Sequence, residues 1–365
     1  MRETRQQSMY DRRVVAPDDD DDAEALDDRP SGGVAAGSDR PSADREARRA
    51  AAKRRQADGR RRAIAIAAAL VAAVSFTAGA ATGDVDTAAK PQSTAEVEAE
   101  SEPLELPGGG TRILPDNRVV GFYGAPQDDA LGALGIGTPD EAAAKLAAQA
   151  KPYAEDERPV LPAFELLATV AAASPGEDGE YILRQPHRVI GRYLEAARRA
   201  GAILILDIQP GRADFEGEVR RLQRWLREPD VSLALDPEWH VGPTEVPGQV
   251  IGSVDASVVN DIAVGLQRTI ERHSLPQKVL LVHQFTSDMI AGRETLEAPP
   301  DVALTLNVDG FGSKAAKVSK YDDLGARRES GFYNGFKLFY SEDVGLMSPE
   351  DVFKLRPQPD IVVYE

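Results

Sequence analysis

From position 119 onward the chain alternates between short apolar runs and longer segments with helical periodicity. The runs lie at 119–124, 160–166, 203–209, 231–238, 279–285, 302–309, 336–340 and 361–364, and most are near-continuous Val, Ile and Leu. Strands buried on both faces of a parallel sheet have this texture. The segments between them, at 139–150, 186–200, 214–227, 255–274, 286–296, 313–324 and 348–355, predict helices. Thr138-Pro139 and Ser348-Pro349 each supply an N-cap followed by proline in the first turn, and Gly201 stands where a helix should stop. Eight strands alternating with seven helices predict a (β/α)8 TIM barrel over 117–365. A doubly wound open sheet is disfavoured, because no glycine-rich phosphate loop follows the first strand.

Polar positions inside the runs follow the period of two. In the fourth run Ser232, Ala234, Asp236 and Glu238 share one face, while Val231, Leu233 and Leu235 share the other. In the sixth, Ala303, Thr305, Asn307 and Asp309 oppose Leu304, Leu306 and Val308. Small and polar residues are therefore expected to face the barrel axis and large aliphatic ones the helices. Barrel active sites lie at the C-terminal ends of the strands. The residues expected there are Tyr123, Glu165, Asp207 with Gln209, Asp236 with Glu238, His283 with Gln284, Asp309, Tyr340, and Tyr364 with Glu365. Unpaired buried carboxylates are costly, so acids gathered at one rim of apolar strands point to function.

Asp236-Pro237-Glu238 at the end of a fourth barrel strand resembles the D-x-E pattern of chitinase-type and some lysozyme-type glycoside hydrolases. The resemblance implies that Glu238 is the general acid and that Asp236 orients it or assists a substrate acetamido group. The likeness covers this strand and the barrel architecture. Ser232 and Ala234 stand where the chitinase type carries further acids, and Gly121-Phe122-Tyr123-Gly124 where the lysozyme type carries an Asp. The 118–365 unit also resembles a group of secreted actinobacterial barrel proteins, which implies fold and export. Glycoside hydrolysis needs one carboxyl to protonate the leaving oxygen and a second as base or nucleophile. An apolar mouth crowded with carboxylates is expected to favour the protonated form of Glu238, which suits an acid. Asp309, Asp207 and Glu165 are the candidates for the second carboxylate. Trp239 and Tyr123 offer rings to stack on sugars, and Gln209, His283, Gln284 and Tyr340 complete the expected substrate-binding set.

These features have structural alternatives. Asp236 and Glu238 can close the barrel through an ion pair with Arg212 or Lys337, and Trp239 can be core. His283 beside Asp207 and Asp309 is either a donor set suited to zinc or manganese or a hydrogen-bonded core histidine. The loop from Gln209 to Asp214 is either a turn or a substrate-contacting lid. No metal or other cofactor is assigned. There is no G-x-S-x-G and no P-loop, which disfavours serine and nucleotide hydrolases.

Upstream of the barrel the pattern changes. Residues 1–62 hold an acidic run from Asp18 to Asp22 and then clustered arginines up to Arg62, with too little apolar surface to offset ordering, and are expected to be a disordered tail. The uncharged stretch from Ala63 has the length of a bilayer-spanning helix, assigned to 63–83. Arginines precede it while Asp84 and Asp86 follow, so the positive-inside rule places the tail in the cytoplasm and the barrel outside. The alternatives are a signal cleaved near Ala80, releasing the protein, and an Ala-rich soluble helix. Residues 84–116, rich in Glu, Thr, Ala, Pro and Gly, read as a flexible linker.

None of the 365 residues is cysteine, which excludes disulfides, a thiol nucleophile and thiolate-bound zinc. The net charge of −17 disfavours nucleic acid as a partner. The expected protein is thus a single-pass, membrane-anchored extracytoplasmic barrel acting on a cell-envelope polysaccharide or peptidoglycan. The alternatives are a non-catalytic carbohydrate-binding barrel and a metal-dependent hydrolase centred on His283.

Overall fold

Eight parallel strands close on themselves: β1 Arg118–Gly124, β2 Val160–Ala171, β4 Ile203–Ile208, β5 Val231–Leu235, β7 Lys278–Gln284, β9 Val302–Val308, β10 Tyr333–Leu338 and β11 Ile361–Tyr364. Pairing of β1 with both β11 and β2 seals the barrel. A short β3, Ile182–Arg184, runs antiparallel to the end of β2, and β6 Val254–Asp255 pairs with β8 Ile290–Ala291 in the loops after β5 and β7. The helices are α1 Pro139–Ala150, α2 His187–Arg199, α3 Phe215–Leu226, α4 Ala256–His273, α5 Lys314–Leu324 and α6 Pro349–Phe353. The computed structural model describes residues 104–155, 158–325 and 331–365. The expected tail at 1–62, the apolar stretch at 63–83 and the linker up to 103 lie outside the described residues. Among those described, no helix is long and apolar enough to cross a membrane.

Alternation along the strands sorts the core into two layers. Inward-facing Val119, Leu161, Ala163, Ile203, Ile205, Ala234, Val279, Leu281, Ala303, Ile361 and Val363 fill the barrel. Outward-facing Phe164, Leu166, Leu204, Leu206, Leu233, Leu280, Leu304, Leu306 and Phe336 pack under the helices with Leu146, Ile190, Leu194, Leu222 and Leu266. The sixth run behaves as its pattern predicts, with Ala303 inside and Leu304 and Leu306 outside. Local signals match too. Thr138 and Ser348 form capping boxes with Glu141 and Asp351, and Gly201 takes a positive φ just past α2.

Three expectations are corrected. No helix forms across 286–296, where β8 is followed by Gly292 at φ +68 and a single 3₁₀ turn; the left-handed glycine interrupts any helix there. The fourth run does not stay extended to Glu238. Its strand ends at Leu235, and Pro237–Trp239 forms a 3₁₀ turn with proline at its first position. Asp236 and Glu238 therefore do not sit on one pleated face. Finally, the described part of the expected linker is not a spacer. Leu106, Ile113 and Leu114 are buried against the inward-facing layer. Gln277 fixes them, its Oε1 accepting from the amides of Ile113 (2.9 Å) and Leu114 (2.8 Å). This segment plugs the N-terminal end of the barrel.

Candidate functional site

At the C-terminal end of the barrel the inward-facing positions change from uncharged to ionisable. Glu165 on β2, Asp207 on β4, His283 on β7 and Asp309 just past β9 follow Ala163, Ile205, Leu281 and Asn307 on the same faces. Asp236, just past β5, and Lys337 on β10 join them. All six are buried, so four carboxyls face two cations in a water-poor space.

His283 is the hub. Its Nδ1–H donates to Asp309 Oδ2 at 2.9 Å and its Nε2–H to Glu165 Oε1 at 2.8 Å, with Asp207 Oδ2 3.8 Å from Nε2. Burial opposes charge on the ring, but Asp236, Glu165 and the bond to Asp309 outweigh it and hold the imidazole pKa well above its usual value. Lys337 Nζ lies 3.3 Å from Asp309 Oδ2, 2.9 Å from Glu365 Oε2 and 3.5 Å from the Tyr123 ring centroid. Burial also opposes its charge, and Asp309 and Glu365 again prevail. Burial alone would raise the Asp309 carboxyl; Lys337, His283 and the Gly310 amide hold it well below the carboxylate range instead. Asp309 is a fixed anion.

Asp207 and Asp236 have weaker support. Neither Asp207 oxygen has a hydrogen-bond partner among the described residues. Burial, then the charge of Asp236, pushes its pKa well up. Asp236 Oδ2 accepts from Tyr123 Oη at 3.2 Å and Gln209 Nε2 at 3.4 Å, and Gln209 also donates to Tyr123 Oη at 2.9 Å. Burial raises the Asp236 carboxyl as well. The ion pair of Asp236 with Arg212 or Lys337 does not form: Arg212 donates to the Glu245 carbonyl and covers the Tyr181 ring, while Lys337 serves Asp309 and Glu365.

Above this cluster opens a cleft of about 910 Å³, its open mouth included. Aromatic walls come from Tyr123, Trp239, Phe285, Phe311 and Phe339, with Leu131 and Leu167 between them. Three acids, Glu238, Asp309 and Glu365, line it with Lys337 and Gln209. Of the residues expected at the site, Glu238, Asp309, Trp239, Tyr123 and Gln209 thus meet in the cleft. Glu165, Asp207, Asp236 and His283 lie under its lining, within the buried cluster.

Three expected residues fall elsewhere, the first being Tyr364, which packs in the outer layer with its hydroxyl 2.7 Å from that of Tyr153. Gln284 follows inward-facing His283 and so faces outward, donating to the Thr286 carbonyl at 3.0 Å. Tyr340 is exposed, bonded to Gln149 Oε1 at 2.8 Å and stacked on Tyr364 at 5.4 Å. β10 stops at Leu338, so Lys337 is its last inward-facing position. The Gln209–Asp214 loop is a packed turn: the Arg212 amide donates to the Glu180 carbonyl at 2.8 Å, and Asp214 caps α3. Glu365, expected at the end of the eighth strand, lines the cleft as well. Lys337 and the three phenylalanines were not among the expected site residues, and a lysine within the apolar Phe336–Phe339 stretch was the available signal.

Among the described residues, one group of side chains has metal-ligand character. Glu165, Asp207 and His283 each present one ligand atom, all within 4.8 Å of one another. No family model and no curated protein matches the chain.

Proposed function

We propose that the barrel hydrolyses a glycan, with Glu238 as the acid that protonates the leaving oxygen and Asp309 as the carboxylate that stabilises positive charge on the sugar or attacks it. One observation carries this reading: two acids from different strand ends, Glu238 and Asp309, line one cleft with aromatic walls. An oxocarbenium-like transition state calls for a carboxylate that stays ionised and a second carboxyl able to give up a proton. Asp309, gripped by His283 and Lys337, suits the first task. Glu238 is half-buried on a turn at the cleft wall, which suits the second. Trp239, Phe285, Phe311 and Phe339 provide apolar faces for sugar rings. In this reading Asp236 leaves the catalytic pair and, with Tyr123 and Gln209, shapes the floor.

The arginine-flanked apolar stretch at 63–83 supports a membrane anchor with the barrel outside, hence a cell-envelope polysaccharide or peptidoglycan as substrate. The test is reducing-end release from a panel of such polymers. Wild-type protein should release sugar from at least one polymer, and Glu238→Gln should lower that rate by about 10²–10⁴ with an unchanged unfolding midpoint. Equal rates would remove Glu238 from the chemistry.

A further inference from the structure

We propose that the layer beneath the cleft is a divalent-cation site with Glu165, Asp207 and His283 as its protein ligands. The inference rests on the orphaned oxygens and geometry of this cluster, and stands independently of the glycan reading.

Asp207 is fully buried, yet neither of its oxygens meets a donor. Glu165 Oε2, equally buried, has none either. Buried polar atoms are nearly always partnered, and Asp309 in the same cluster has three partners. Three unfilled acceptor oxygens thus lie on the two acids that flank His283 Nε2, with Asp236 Oδ1 and Asn307 Oδ1 unfilled nearby. Three strands, β2, β4 and β7, bring these donors together, so the site is built on the rigid part of the fold.

The distances suit one ion. Ligand atoms bound at about 2.0–2.2 Å to a common cation lie roughly 3–3.5 Å apart. Glu165 Oε1 and His283 Nε2 are already 2.8 Å apart, and Asp207 Oδ2 lies 3.8 Å from Nε2. A small side-chain rotation closes the set. The other ring nitrogen is held by Asp309, the carboxylate–histidine arrangement that fixes a metal-binding imidazole with Nε2 as its ligand atom. On binding, the ion takes the place of the proton between Nε2 and Glu165 Oε1, and that proton leaves to solvent. One imidazole nitrogen with two carboxylates favours a first-row divalent ion such as Mn²⁺ or Zn²⁺ over Mg²⁺. Because the three ligands do not line the cleft, the ion would act by neutralising and rigidifying its floor.

The test uses the full-length protein, stripped with a chelator and dialysed separately against Mn²⁺, Zn²⁺ and Mg²⁺, with metal content measured by mass spectrometry. Wild type should retain a single Mn²⁺ or Zn²⁺ per chain, melt at higher temperature with it, and hold Mg²⁺ poorly. Pulsed electron paramagnetic resonance of the Mn²⁺ form should detect one imidazole nitrogen. Asp207→Asn, nearly isosteric, should weaken retention about tenfold or more. Wild type that retains no stoichiometric ion, a bound Mn²⁺ without nitrogen coupling, or undiminished binding by folded Asp207→Asn would each overturn the proposal. The two wild-type readouts decide it even where the variant does not fold.

Discussion

Lys337→Met probes the charge balance on which the cleft floor depends. Lys337 is 3 % exposed in its side chain and holds Asp309 at 3.3 Å and Glu365 at 2.9 Å. Methionine keeps much of the volume and removes the charge. Deleting one partner of a buried ion pair costs about 3–5 kcal/mol, because the remaining charge is left uncompensated. Two features place this site toward the lower end of that range. His283 still donates to Asp309, and the Glu365 side chain is 19 % exposed, so water can relieve it. The lost contact with the Tyr123 ring adds to the cost. A destabilisation of about 3 kcal/mol is expected. Urea unfolding at pH 7, followed by tryptophan fluorescence, measures it. A double-mutant cycle isolates the cause: in an Asp309→Asn background the same substitution should cost about 2 kcal/mol less. Equal losses in both backgrounds, or a Lys337→Met protein as stable as wild type, would refute the assignment of Lys337 as the counterion of Asp309.

Two further substitutions test the opposite end of the barrel. Gln277→Leu strands the amides of Ile113 and Leu114, at about 1–3 kcal/mol each, and should open the plug to proteolysis upstream of Arg118; an unchanged digestion pattern would contradict its anchoring role. Lys278 is fully buried and donates to the carbonyls of Glu228 and Val231, and burial lowers its pKa to about 7. An unfolded lysine titrates near 10.4, so between about pH 7 and 10 the unfolded chain holds a proton that the folded one lacks, and stability rises with pH. Lys278→Met should remove this component: the stability of wild type relative to the variant should grow from pH 7 to 10, and a flat difference would show that Lys278 stays charged in the fold.

The barrel was legible because its inner face follows a period of two that survives in single strands. Ala303, Thr305, Asn307 and Asp309 could be assigned to the axis, and Leu304 and Leu306 to the helices, from one run alone. The acids and His283 at the strand ends follow from the same rule. How high each end rises was not legible, since the stagger of strands round a barrel is a property of the whole sheet. Glu165 and Asp207 therefore stop beneath the cleft while Glu238 reaches its wall. Asp236-Pro-Glu238 read as continuous alternation, although Pro237 at the first position of a turn breaks it. Lys337 was masked by placing the seventh strand late, which made Tyr340 its end. Leu106, Ile113 and Leu114 lie among glycine and proline without periodicity, so only tertiary contact makes them a plug.

The most direct measurement of the central claim is a crystal structure of the Glu238→Gln protein soaked with an oligosaccharide of the polymer that wild type degrades. A sugar ring is expected against Trp239, its glycosidic oxygen within about 3 Å of the residue-238 amide and its anomeric carbon facing Asp309. An oligosaccharide bound outside the cleft, or one whose scissile bond contacts neither side chain, would contradict it.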